Sequence, residues 1–450
     1  MTQPPDNSDR RQPETRSRAR ANAALLGAFC LAAVVIYLLA GPRSDQVNGR
    51  TEIVYWHGWA GKEFKPLQKI IDEYNRAHSN VFVKPTYVGA GYQKMRIAFA
   101  GGDTPDVCSS VWVEDIPDYA ERGALTPLDD FIASSTRRLD DYPPPIQECY
   151  RYNGKTYALS MSVSAIFVAY NKQVFRESGL DPERPPRTLE EFDRAAEACT
   201  RFRNGRREDG IERLGFPYGG LIYWANAFNV EFWNQQTRQT GIDSPRMIEC
   251  VNWMKSNVDK YGFQAQRSFA STFGNLLSPN NPFISGKIAM AIVGDWYTEI
   301  IKIYAPPGFE WGWFPIPAPP DGRTSSTLLD ASMFVIPSAC RHKREAWDFI
   351  EYITSPVGQL GFKTGKEPSA LAATKTVQAD PLFQTPYWNF VKELASGPNA
   401  ISIKTPLYNK FLFLLNRIED QTLSGALPPA QALKEARDAY TEAVAEVLRK

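Results

Sequence analysis

The feature that most constrains the fold is a regular alternation of short apolar strands and amphipathic segments between residues 51 and 112. Thr51–Trp56, Val81–Val88 and Asp106–Trp112 read as strands. Residues 65–77 carry apolar side chains at the i, i+3, i+4, i+7 spacing of a helix, and residues 93–100 predict a second helix. Such a strand-helix series folds into a mainly parallel sheet with helices on both faces, so the expected fold class is α/β.

Polar and aromatic side chains follow each of these three strands. Ligands of open α/β sheets bind outside the carboxyl ends of the strands. The residues at those positions are His57 and Trp59, then Tyr92 and Gln93, then Trp112 and Glu114. Because they occupy equivalent positions along one edge, they predict a ligand cleft there, although any single aromatic residue has the alternative of packing on its own loop.

The N-terminal segment predicts a membrane anchor. Residues 23–41 are 19 consecutive residues without a charge, which is long enough to span a bilayer. Five arginines precede this run and two follow it at Arg43 and Arg50, so residues 1–22 are expected to be a basic cytoplasmic tail. Residues 43–450 would then lie outside the cytoplasmic membrane, in the periplasm. The long apolar run favours an uncleaved signal anchor over a cleaved signal peptide.

Composition excludes several classes of function. Lys plus Arg number 51 and Asp plus Glu number 50, which leaves no excess positive charge for nucleic acid. Three His and six scattered Cys predict neither a metal centre nor a cofactor site, and the pairing of Cys199 with Cys250 stays open. Aromatic residues reach 12%, which suits recognition of a ligand by flat rings.

The sequence does not predict an enzyme. It has no nucleophile elbow and no phosphate-binding loop. Asp129–Asp130 and Asp140–Asp141 are adjacent carboxylates, which do not face one substrate, and helix capping or solvation explains them.

Seven motifs in order carry a resemblance to a known family. They include IVYWHGW at 53–59, a segment that ends in GDTPDV at 102–107, YAERGALTPLDD at 119–130, NGKTYALSMSVSAIFVAYNKQVF at 153–175, GKIAMAIVGDW at 286–296, and two C-terminal helical segments at 345–359 and 424–436. On these motifs the chain resembles the solute-binding proteins of carbohydrate-type ABC importers, the group that includes maltose-binding and glycerol-3-phosphate-binding proteins.

This resemblance implies the type II periplasmic-binding-protein fold, with two α/β lobes, a ligand cleft between them and closure about a hinge. The first lobe is expected at 51–162 plus about 315–350, and the second at 163–314 plus about 351–450. The β-rich run 158–171 is predicted to cross between the lobes, because it is longer than an average strand.

The resemblance also extends the list of expected ligand-binding residues. Ser164 lies on the crossing strand, Tyr223 and Trp224 lie in a loop of the second lobe, and Asp295 and Trp296 end the GKIAMAIVGDW strand. Asp330 stands, with Ala331, where many family members have a Gly-Gly pair. Trp296 is the first choice for a stacking platform.

We expect the protein to act as a monomer that captures a mono- or oligosaccharide outside the cytoplasm. It would deliver this sugar to an ABC permease with its ATPase. An alternative from another class stays open. A membrane-anchored sensor or docking ectodomain would keep the binding-protein fold and serve no transport.

Overall fold

The computed structural model describes residues 46–47, 49–89, 92–364 and 367–448. The predicted cytoplasmic tail 1–22 and transmembrane segment 23–41 lie outside these residues. Within the described part of the chain, no helix combines the length and the apolar character that crossing a bilayer requires. In the described part of residues 1–52, Gln46 pairs with Thr51 and Val47 with Arg50 in an antiparallel arrangement.

The strands are short, apart from β2, β3 and β7. They are β1 Gln46–Val47, β2 Arg50–His57, β3 Val81–Tyr87, β4 Val107–Trp112, β5 Arg151–Tyr152, β6 Lys155–Thr156, β7 Ser162–Asn171, β8 Arg201–Phe202, β9 Ile211–Arg213, β10 Trp233–Asn234, β11 Gln239–Thr240, β12 Met290–Gly294, β13 Trp311–Phe314, β14 Thr327–Asp330, β15 Ser332–Val335, β16 Lys363–Thr364, β17 Glu367–Pro368, β18 Leu371–Ala372 and β19 Ala400–Ile401.

The helices lie between the strands and at the C-terminus. They are α1 Gly61–Ala77, α2 Tyr92–Gly101, α3 Ile116–Glu121, α4 Asp129–Ala133, α5 Pro144–Cys149, α6 Lys172–Glu177, α7 Leu189–Cys199, α8 Leu221–Ala227, α9 Pro245–Asp259, α10 Phe263–Ala270, α11 Tyr297–Tyr304, α12 Lys343–Ile353, α13 Pro356–Gly361, α14 Lys375–Gln378, α15 Pro386–Ser396, α16 Tyr408–Leu423 and α17 Pro429–Leu448. Single 3-10 turns occupy residues 113–115, 139–141, 203–205, 207–209 and 381–383.

The first lobe is built on the sheet β3-β2-β4-β15. β2 and β4 are parallel, as the strand-helix alternation predicts, while β15 returns antiparallel to β4. Apolar residues of α1 at Leu67, Ile70, Ile71 and Tyr74 are buried in its core. The helical spacing read from the sequence is therefore the spacing that packs against this sheet.

The second lobe is built around β7. This long strand pairs antiparallel with β12, β13, β14 and β18 along different parts of its length, and β19 pairs parallel with β14. The mainly parallel sheet predicted from residues 51–112 thus does not extend to this lobe. A single strand that serves as the common partner of four returning segments is surrounded by antiparallel neighbours.

The structure also relocates the boundary between the lobes. β14 belongs to the second sheet and β15 to the first, so the chain crosses at Ala331 and not near residue 315. α12 and α13 pack against α1 of the first lobe, whereas the expected boundary at about 351 falls inside α12.

The local signals in the second lobe follow ordinary capping rules. α7 begins after Thr188, whose hydroxyl accepts a hydrogen bond from the Glu191 N–H at 3.1 Å. α17 spans 20 residues after Pro428. Cys199 and Cys250 are separate buried thiols, so the bridge that the sequence left open is not formed.

Gly215 allows α7 to pack closely on the segment that follows β9. A Cβ atom at this position would lie 1.8 Å from the Ala196 carbonyl oxygen, which belongs to the helix backbone and cannot rotate away. We expect Gly215→Ala to lower the free energy of unfolding by about 1–3 kcal/mol in urea titrations. Gly101→Ala is the control, because no atom lies within 4 Å of its added Cβ, and equal stability of the two variants would contradict this packing.

Candidate functional site

The site lies where the chain passes from one lobe to the other. Asp330, the last residue of β14, pairs with Ser164 on β7, and Ser332, the first residue of β15, pairs with Trp112 at the end of β4. The Ser332 hydroxyl donates to the Ser109 carbonyl oxygen at 2.6 Å, which fixes the start of β15 on the first sheet. Strand pairing thus brings Trp112, Ser164 and Asp330 to one place, although they are far apart in the sequence.

Two carboxylates meet at this crossing point, and we call Glu114 and Asp330 the carboxylate pair. Glu114 lies in the 3-10 turn that follows β4, and its side chain is partly buried. Burial raises the pKa of Glu114, and the negative charges of Asp330 and then Asp115 raise it further. Burial likewise raises the pKa of Asp330. The charges that act on Glu114 are therefore all of its own sign, and the pair tends to share a proton near neutral pH.

The carboxylate pair acts electrostatically on two tyrosines of the second lobe. Burial raises the pKa of Tyr223 on α8, and the charges of Asp330 and Glu114 raise it further. Burial also raises the pKa of Tyr408 at the start of α16, with Glu114, Tyr223 and Asp330 adding to the effect. Both phenol groups are therefore within electrostatic reach of the pair. Sequence reasoning missed Tyr408, because no strand end precedes it and its helix is remote from the predicted rim.

His57 and Trp59 lie in an aromatic group of the first lobe. His57 is only 2% exposed, and its ring stacks on Phe64 with a centroid distance of 4.2 Å and an angle of 2° between the planes. Burial lowers the pKa of His57 to about 4, so the imidazole is neutral. His57 is thus a core side chain in this conformation, contrary to the prediction of a rim position, whereas Trp59 is half-buried and contacts Phe362 edge-on.

Tyr92 and Gln93 form the first turn of α2, at the carboxyl side of β3. Their side chains lie outside what the structure describes. Their role in the cleft stays a prediction.

Trp224 was predicted to face ligand, but the structure places it in the core. Its side chain is fully buried, packs on Trp253 at 4.6 Å and donates from Nε1 to the Gly219 carbonyl oxygen at 3.2 Å. Tyr223 is the half-buried residue of α8, and the other six residues of this helix, Trp224 among them, are buried.

Asp295 was also expected at the end of its strand, exposed to the cleft, and it is fully buried. Its Oδ2 accepts a hydrogen bond from the Leu371 N–H at 2.8 Å, and its carbonyl oxygen accepts one from the Tyr387 hydroxyl at 2.8 Å. Burial raises the pKa of Asp295 to about 7, partly offset by hydrogen bonds that include the Ser164 hydroxyl. Asp295 therefore joins β12 to β18 and α15 behind the site.

Trp296 follows Asp295 and is half-buried. Its indole folds back over Gly294, so closely that a Cβ atom at Gly294 would lie 2.3 Å from Nε1. With Tyr223, Trp296 lines a cavity of ≈ 940 Å³ in the second lobe. Two of the three aromatic residues expected to meet ligand in this lobe therefore line the same cavity.

Comparison with known proteins decides the family. The family model described as bacterial extracellular solute-binding protein matches residues 58–360. This match covers more than half of the chain and includes both lobes and the crossing point.

The chain belongs to the bacterial extracellular solute-binding proteins.

Relatives of known name agree with this assignment. The maltotriose-binding protein of Pyrococcus abyssi is 24% identical over 351 residues, which are 74% of this chain and 70% of that protein. The sn-glycerol-3-phosphate-binding periplasmic protein UgpB of Pectobacterium atrosepticum is 23% identical over 365 residues, 76% of this chain and 78% of that protein.

This chain superimposes on nearly the whole length of similar proteins of solved structure. CpMnBP1 with mannobiose bound superimposes with a TM-score of 0.74 at 28% identity, covering 87% of this chain and 99% of that chain. The sugar-binding protein MalE from Xanthomonas citri superimposes with a TM-score of 0.73 at 19% identity, covering 88% of this chain and 98% of that chain. This similarity supports the fold alone. This solute-binding protein thus has the two-lobe α/β fold of its neighbours.

The raised pKa values of the carboxylate pair predict a pH-dependent stability. A carboxyl group whose pKa is higher in the folded state binds more protons there, so stability falls as pH rises from the unfolded pKa toward the folded pKa. Asp330→Asn removes one of the two charges. We expect the difference in free energy of unfolding between this variant and the natural protein to shift in favour of the variant by on the order of 1 kcal/mol as pH rises from 5 to 8. Urea unfolding without ligand measures it.

Asp130→Asn, at an exposed position on α4, is the control and should follow the natural protein at each pH. A stability difference between Asp330→Asn and the natural protein that stays constant from pH 5 to pH 8 would contradict the coupling of the pair.

Proposed function

We propose that this solute-binding protein captures a carbohydrate between its two lobes and delivers it to an ABC permease without chemical change. The observation that carries the proposal is the meeting of the carboxylate pair with Tyr223 and Tyr408 where the lobes join. Carboxylate oxygens accept hydrogen bonds from sugar hydroxyls, and phenol groups both donate and accept. The names of the similar proteins, which include maltotriose-binding and mannobiose-bound members, support the same class of ligand.

Trp296 supplies the apolar half of the recognition. A pyranose ring exposes C–H faces as well as hydroxyls, and a flat indole or phenol ring packs against those faces. Trp296 and Tyr223 lie on the same wall of the second lobe. We assign stacking to Trp296, and hydrogen bonding to Glu114, Ser164 and Asp330, with Trp112 contributing an aromatic surface from the first lobe.

The charge of the site narrows the class of ligand. The groups that act electrostatically on Glu114 are carboxylates, and they would repel a phosphate group. The ligand is therefore a neutral sugar and not a sugar phosphate, in contrast to what the name of the UgpB relative states for that protein.

We also propose that residues 23–41 hold the protein on the cytoplasmic membrane with the lobes outside. The support is the uncharged run of 19 residues and the arginine-rich segment before it. An anchored protein would keep its lobes close to the permease, which raises their effective concentration there.

Replacement of Trp296 tests the carbohydrate proposal. In a thermal-shift screen of the full chain against neutral mono- and oligosaccharides and against sugar phosphates, we expect a neutral sugar to raise Tm. A ligand at a hundred times its Kd stabilises by about 2.7 kcal/mol. Trp296→Ala should weaken binding of that sugar about tenfold or more, because the stacking surface is lost.

Trp233→Ala is the matched control, because Trp233 is a half-buried tryptophan of the same lobe that packs on Tyr440, away from the crossing point. Failure of every neutral sugar to bind a folded protein would overturn the proposal. Binding without uptake in cells that carry the neighbouring permease would move the protein to the sensor alternative.

Cell fractionation tests the anchor. The full chain should remain in the membrane pellet after alkaline carbonate washing, and its lobes should be digested by protease added outside spheroplasts. A variant that has a cleavable signal peptide in place of residues 1–41 should appear in the soluble periplasmic fraction. Release of the full chain by carbonate would contradict the anchor.

A further inference from the structure

The cavity beside Tyr223 and Trp296 is lined mainly by apolar side chains. Its volume of ≈ 940 Å³ lies within the range of small-molecule sites. It lies between α8, α10, α16 and the edge of β12. The apolar lining includes Phe216, Phe263, Phe269, Phe273, Leu277 and Ile292.

Three polar side chains of this cavity make hydrogen bonds within the protein. Glu419 accepts the Leu221 N–H at 2.8 Å, so it caps the start of α8. Gln266 donates to the Val258 carbonyl oxygen at 3.0 Å, and Asn275 accepts the Leu277 N–H at 2.9 Å. A sugar placed here would lose hydrogen bonds to water and gain few in return, which is unfavourable for each buried hydroxyl.

The mouth of the cavity carries paired charges. Arg267 on α10 lies 3.6 Å from Asp420 on α16, and its guanidinium lies over the Phe263 ring at 5.6 Å. These charges neutralise each other, so the mouth does not select for an ionic ligand. Leu277, with 52% of its surface exposed, contributes an apolar edge to the cavity.

The cavity is continuous with the proposed sugar site, because Tyr223 and Trp296 belong to both. Tyr223 is within reach of the charges of Asp330 and Glu114 and also lines the apolar chamber. From this juxtaposition, and resting on the proposed carbohydrate function, we propose that the cavity holds an alkyl or aryl group attached to the sugar. The natural ligand is then an amphipathic glycoside, with its sugar at the carboxylate pair and its aglycone among the phenylalanines of the second lobe.

The test compares glycosides that differ only in the aglycone. Methyl and hexyl glycosides of the same sugars are titrated calorimetrically into the full chain, with hexanol as a control for the chain alone. We expect the hexyl glycoside of a bound sugar to bind at least about tenfold more tightly than the methyl glycoside, since burial of each methylene group is favourable. Leu277→Asp should reduce this gap to about threefold or less, and Val357→Asp, at a similarly exposed apolar position outside the cavity, should leave it unchanged.

A second measurement tests the cavity independently of any sugar. The uncharged fluorescent probe N-phenyl-1-naphthylamine should bind the full chain and the Val357→Asp variant with enhanced emission. Leu277→Asp should weaken probe binding by about the factor by which it reduces the preference for the hexyl glycoside. Equal affinity for methyl and hexyl glycosides, or probe binding insensitive to Leu277→Asp, would overturn the aglycone site. Probe binding that responds to Leu277→Asp, together with no binding of any glycoside, would support the apolar cavity and refute the carbohydrate function.

Discussion

The arrangement of the site depends on one backbone constraint: a single residue, Ala331, separates a strand of the second sheet from a strand of the first. β14 is held by its pairing with β7, and β15 by its pairing with β4, so residues on either side of Ala331 cannot shift independently of the sheets. Asp330 therefore lies at the junction of the lobes because of its position in the strand. Relative motion of the lobes therefore acts on the backbone at Ala331, which makes the site sensitive to closure.

The electrostatics of the junction follow from that constraint. Glu114 and Asp330 are brought together by strand pairing and not by mutual attraction; burial raises the pKa of both, and like charge raises that of Glu114 further. Such an arrangement destabilises the unliganded fold and is typical of functional sites. Asp295 is buried more deeply than either carboxylate of the pair and is hydrogen-bonded to Leu371 within the protein. Glu114 and Asp330 are partly exposed at the junction, whereas Asp295 holds elements of the second lobe together.

The sequence predicted the strand-helix alternation of residues 51–112 in the first lobe, because these elements carry the periodicity that packing requires. Its prediction of Glu114, Tyr223 and Trp296 as ligand-binding residues, which follow strands or belong to family motifs, stays a prediction. The sequence did not predict which side chains of a short helix or strand are buried. Trp224 and Asp295, the neighbours of Tyr223 and Trp296, are buried, and periodicity over such short segments does not reveal this. The antiparallel pairing around β7 and the position of Tyr408 depend on contacts between residues far apart in the chain, which local patterns do not contain.

The most direct test of the account is a crystal structure of the protein with the neutral sugar that raises its Tm the most. The account predicts a closed cleft in which sugar hydroxyls lie about 2.6–3.2 Å from oxygen atoms of Glu114 or Asp330, and in which Trp296 packs on a face of the sugar ring. A sugar bound to one lobe alone, with the carboxylate pair solvated and Trp296 without contact, would contradict it.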